Sequence, residues 1–147
     1  MSQLRPSIDR YAVARVNANA EAHGLSSSAE YDDEVRGRAV YSAEAGLSFF
    51  HTHAEGLGLV LFFASTLVAS VVTGRRLRGS LYVLLTAGSL FPLGYLVYGA
   101  AVLELGRDAG IEAAERWVLM PLGAAAIIGL TALAVCLAAR MKTLSRP

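Results

Sequence analysis

Three apolar runs constrain this chain more than any other feature. Residues 56–73, 81–103 and 117–139 contain no Asp, Glu, Lys, Arg or His. A helix rising about 1.5 Å per residue needs roughly 20 apolar residues to cross a hydrocarbon core of about 30 Å. The second and third runs have that length as they stand. The first reaches it only by taking in residues upstream of Gly56. No alternation of period two runs through these segments, which argues against a transmembrane β-barrel. Only 17% of the residues are charged, against about 25% in an average soluble domain. The expected fold is therefore an all-α integral membrane protein with three transmembrane helices, at 45–73, 81–104 and 117–139.

Charge in the connections predicts their orientation. The link between the first two helices carries Arg75, Arg76 and Arg78 without an acid, and the C-terminal tail carries Arg140, Lys142 and Arg146 without one. The link between the second and third balances Arg107 and Arg116 against Asp108, Glu112 and Glu115. The positive-inside rule then places the arginine-rich link and the C-terminus in the cytoplasm, and three crossings place the N-terminus outside. The expected organisation is an exported, partly helical N-terminal tail over 1–43, a three-helix transmembrane domain over 44–140 and a cytoplasmic C-terminal tail over 141–147. The location this implies is the cell inner (plasma) membrane. Residues 1–30 lack the continuous apolar core of a secretory signal. In the tail, Arg5, Arg10, Arg15, Arg36 and Arg38 face Asp9, Glu21, Glu30, Asp32, Asp33 and Glu34, a near-neutral balance that does not strongly oppose export.

Within the tail, "RYAVARVNANAEAHG" reads as a short helix stopped at Gly24, with Asn17 and Asn19 weakening it and few large apolar residues to anchor it. "GLSSS" at 24–28 reads as a break. Ser27-Ser28-Ala29-Glu30 has capping-box spacing, so a helix starting near Ser28 is expected to run into the first membrane helix, broken or bent near Gly37. Pro92 in "FPLGY" should kink the second membrane helix. Gly123, Ala126 and Gly129 form a small-residue stripe suited to close helix packing. Trp117, Tyr95 and Tyr98 suit an outer aromatic belt and Tyr82 an inner one. Cys136 is the single cysteine and reads as a small packing residue.

The stretch "SFFHTHAEGLGLVLFF" (48–63) is the one candidate site. At about 100° per residue, His51 and His53 point roughly 200° apart and cannot easily chelate one ion together. His51 and Glu55, four apart, share a face with Glu44, Ser48, Gly58 and Phe62, and both can reach one metal ion or each other. An acid at the head of an unbroken apolar run marks a buried site by default. The bland alternative places both histidines in the headgroup layer, with Glu55 held at its edge. Further candidate ligands or lining groups are His23, Tyr95, Tyr98, Glu104 and Met120. For Met120 packing is the simpler role, and for Glu104 a helix-end charge.

"HTHAEGLGLV" resembles the His-x-His helix of haem-copper oxidases and that of small bacterial membrane proteins with a His-Thr-His followed by a glycine turn. The resemblance implies that His51 and His53 serve separate haem or copper sites. An oxidase needs further histidines on other membrane helices, and 81–104 and 117–139 contain none, so the chain is not expected to be an enzyme by itself. A bis-histidine haem would draw on His23 or on a second copy. Three functions follow: a metal- or haem-binding protein with a redox-accessory or metal-handling role, a non-catalytic accessory subunit, or an oligomeric proton or cation transporter. The expected partners are the lipid bilayer and either further copies of the chain or a larger membrane complex. No motif or basic stripe points to nucleic acid.

Overall fold

The structure, a computed structural model, describes residues 5–25 and 28–144, and every regular element in them is helical. The order is α1 (Arg5–Ala18), α2 (Ala29–Val71), α3 (Arg75–Ser89), α4 (Leu93–Leu105), α5 (Arg107–Ala114), a π-helical turn (Glu115–Leu119) and α6 (Met120–Leu144). Two continuous helices, Ala29–Val71 and Arg107–Thr143, are long and apolar enough to cross a membrane. The pair α3–α4 becomes a third candidate if it counts as one span bent by 42°.

α2 carries tail and membrane run in one 43-residue helix, within which positions 43 and 44 both lie. The helix is not broken at Gly37. A lone glycine in an exposed helix costs only about 1 kcal/mol. Ion pairs also bridge its turn, from Arg36 to Asp33 at 2.8 Å and from Arg38 to Glu34 at 2.5 Å. Ser28 is the N-cap in extended backbone but makes no side-chain cap bond, and its capping-box companion Ser27 lies outside the described residues.

The proline effects are local and legible. Before Pro92 the backbone tightens into three-residue bonds, Leu90 N–H to Ala87 at 3.1 Å and Phe91 N–H to Gly88 at 3.0 Å, and α4 restarts at a new angle. Pro121 removes the N–H that would have reached Trp117. The preceding turn widens instead, with Met120 N–H donating to the Glu115 carbonyl five residues back.

Two buried clusters hold the bundle. One joins α2, α3 and α6 through Leu61, Val68, Leu81, Leu85 and Leu133. The other joins α1, α2 and α4 through Ala12, Val16, Ala39, Val102 and Leu103. Missing side chains set the spacing of both. A Cβ on Gly88 would stand 2.7 Å from Ala126 Cα, and one on Gly46 would stand 2.8 Å from the Tyr95 carbonyl. The expected stripe is in use, Gly123 meeting Phe91, Ala126 meeting Gly88 and Gly129 meeting Leu84 and Leu85. In α2, by contrast, a Cβ on Gly56 or Gly58 would meet nothing within 4 Å.

The tail corrects one expectation. α1 ends at Ala18 and the chain continues in turns to Gly24, which has φ +66. Although poor in large apolar residues, α1 is firmly seated, with Val16 fully buried. At the opposite end of the bundle, Arg78 donates to the Val72 carbonyl at 2.6 and 2.9 Å, and Arg140 to Ser70 and Val71 at 2.8 and 2.9 Å. These are the last carbonyls of α2, where cations also complement the helix dipole.

Candidate functional site

The residues of "HTHAEG" separate as helical geometry requires. His51 Nε2 stands 3.1 Å from Glu55 Oε1, and both side chains are mostly exposed, at 60% and 70%. Their face of α2 is uncovered by the rest of the chain and continues into the exposed Leu59, Phe62 and Phe63. His53 turns toward α4. Its Nδ1 donates to the Phe49 carbonyl at 2.8 Å, which fixes the orientation of the ring. Its ring lies against Tyr95 (centroids 4.9 Å) and Phe91 (5.7 Å, edge to face). Phe49 and Phe91 each contact Tyr95 at 5.4 Å, completing a four-ring cluster at the α3–α4 break.

No group of three or more His, Cys, Asp or Glu side chains able to hold a metal ion forms among the described residues. His51 and Glu55 together supply two donors, and His53 faces another direction. Tyr95 belongs to the ring cluster, and Tyr98 lies beyond it toward α1. Met120 is exposed at the start of α6.

Two further candidates have other partners. Glu104, at the end of α4, is paired with Arg15 of α1 through two hydrogen bonds, Arg15 Nε to Glu104 Oε1 at 2.7 Å and Arg15 Nη2 to Oε2. That carboxylate, by hydrogen bond first and charge second, raises the Arg15 pKa above its ordinary value. Asn19 Nδ2 donates to the Leu103 carbonyl and to Glu104 Oε2, each at 3.2 Å. His23, buried, donates from Nε2 to the same Leu103 carbonyl at 3.1 Å. Arg15, Asn19 and His23 thus supply donors to the end of α4 that the helix cannot supply itself. Sequence reading named His23 and Glu104 singly and missed Arg15 and Asn19. The signal was present as polar residues spaced four and four along one face.

Comparison with known proteins returns no match: no family model, no curated protein and no solved structure aligns with the chain.

Proposed function

We propose that this chain is a self-associating membrane protein that handles a metal ion at His51 and Glu55, the ion being held between copies rather than within one. The observation that carries the reading is the His51–Glu55 pair, 3.1 Å apart on an uncovered helix face. Titratable groups at the head of an apolar run need partners when water is withdrawn. One copy supplies an imidazole nitrogen and a carboxylate oxygen, too few to enclose an ion. Two copies related by a twofold axis would supply two of each, a nitrogen–oxygen set suited to zinc, iron or copper. His53, oriented by its bond to Phe49, is a separate donor, in keeping with the haem-copper-like division of the two histidines between sites.

A second reading, a non-catalytic accessory subunit, is favoured by Gly56 and Gly58. They leave the backbone beside the pair open to close approach by another helix. The N-terminus-outside topology in the inner membrane belongs to the proposal, supported by Arg75, Arg76, Arg78 and Arg140 gathered at one end.

The test is to purify the full chain in detergent and record metal content, visible spectrum and oligomeric mass. Wild type is compared with His51→Ala, Glu55→Gln and His53→Ala. We expect about one metal ion per two chains, lost in His51→Ala and Glu55→Gln and kept in His53→Ala. A Soret band abolished by His53→Ala would move the cofactor to that residue. No metal and no chromophore in a folded wild type would leave the accessory reading standing alone.

A further inference from the structure

Beside the ring cluster the bundle opens into a cleft of about 490 Å³. Phe49 of α2, Phe91, Tyr95 and Tyr98 around the α3–α4 break, and Glu115 and Met120 from the π-helical turn and the start of α6 line it. Its volume lies in the range of small-molecule sites. Two backbone irregularities make the cleft. The Pro92 break tilts α4 away from the line of α3, and the widened turn before Pro121 brings Glu115 and Met120 to the opposite wall. π-helical turns inside longer helices occur often at functional sites.

The lining selects by charge. Aromatic faces carry negative potential and attract cations, whereas anions are repelled by the same faces. Glu115 adds a full negative charge, and among the described residues its carboxylate has no hydrogen-bond or ion-pair partner. The adjacent residue Arg116 is engaged elsewhere, its guanidinium lying over the Trp117 ring, 5.6 Å from its centroid. An apolar occupant would gain nothing from the exposed Glu115 carboxylate at the cleft's edge. A small hydrated metal ion would find one carboxylate and a thioether among rings that cannot replace its water. An alkylated ammonium satisfies both features, with methyl or methylene groups against the rings and its charge facing Glu115.

We propose that this cleft binds an organic ammonium group, either a free amine or the choline or ethanolamine headgroup of a lipid. The site is independent of the His51–Glu55 pair, which lies on a different face of α2.

The full chain, purified in a maltoside detergent without ammonium groups, is titrated with tetramethylammonium and with choline, and binding is followed by calorimetry. Wild type is compared with Glu115→Gln and Phe49→Leu, two exposed positions whose replacement should leave the helical spectrum and elution volume unchanged. We expect saturable binding of both probes, weakened about tenfold or more in Glu115→Gln and severalfold in Phe49→Leu, and largely restored in Glu115→Asp. In bilayer discs, preferential retention of phosphatidylcholine over phosphatidylglycerol, lost in Glu115→Gln, would identify the headgroup as the source. Equal retention of the two lipids beside intact choline binding would identify a free amine. Absence of saturable binding of either probe to the folded wild type would overturn the proposal. So would affinity that neither Glu115→Gln nor Phe49→Leu changes.

Discussion

Gly106 is the residue on which the upper half of the bundle turns. Its φ of +82 and ψ of 165 lie in a region open essentially to glycine alone. A Cβ there would also collide with the Ala22 carbonyl of the tail. The reversal from α4 into α5 and the seating of residues 19–24 therefore meet at one atom that must be hydrogen. Gly106→Ala should destabilise the protein by about 1–3 kcal/mol from the backbone alone, with the tail displaced in addition. Unfolding in a denaturing detergent would measure the first, and faster amide exchange at Ala12 and Val16 the second. This requirement could not be read from "LELGRDAG", where glycine looks like an ordinary helix end. The sign of φ is set by what packs against the turn, and Ala22 is more than eighty positions away in the chain. Glu104 was equally opaque. A lone acid at a helix end has many partners of equal merit until the fold brings Arg15 beside it. His51 and Glu55 were legible, because a four-residue spacing fixes their geometry with no help from tertiary structure.

At the scale of elements, the helices respond to glycine in opposite ways, and the difference lies in what stands across from each one. Gly37 is exposed in the third turn of α2 with open space where its Cβ would be. Gly37→Ala should stabilise the protein by roughly 0.5–1 kcal/mol, since alanine loses less backbone entropy on entering a helix. Gly88 is buried where α3 crosses α6, its missing Cβ 2.7 Å from Ala126. Gly88→Val should cost about 1–3 kcal/mol or more by forcing the helices apart. The paired measurement is a thermal melt of both variants, expected to shift in opposite directions. Equal losses would mean that Gly37 also sits in a contact, as between copies of the chain. The apolar runs predicted helices correctly because length and composition alone decide them. The run of α2 from Ser28 into the membrane segment was legible from the capping signal and the apolar run, whereas a break at Gly37 does not form because ion pairs bridge its turn. The π-helical turn was missed because Pro121 signals a disturbance without saying how the backbone will absorb it.

At the scale of the whole molecule, the bundle is longer than a membrane is thick. α2 has 43 residues, about 64 Å of helix, against a hydrocarbon core of about 30 Å. Register between neighbours decides which half is immersed. Gly129 lies against Leu85, Gly88 against Ala126 and Gly94 against Leu119. With that register, segments centred on Pro92 and on Ile128 cannot share one mid-plane, because their centres stand about 10 Å apart along the axis. In the proposed topology the arginines set the boundary: Arg75, Arg76, Arg78 and Arg140 lie at one end, where they would mark the cytoplasmic interface. Counting about 20 residues inward from them puts the other interface near His51, Pro92 and Met120. On that proposed placement the N-terminal half of α2, α1, α4 and α5 would form a headpiece beyond the hydrocarbon, with the His51–Glu55 pair and the ammonium cleft at the hydrocarbon boundary. Trp117, the single tryptophan, reports the outcome directly. In bilayers carrying brominated lipids, bromines near the headgroup should quench its fluorescence more strongly than bromines near the chain ends. The opposite order would place Trp117 near the mid-plane and draw Glu115 and Arg116 into hydrocarbon. There they would need partners from another subunit, and the membrane boundary would have to be redrawn around α4.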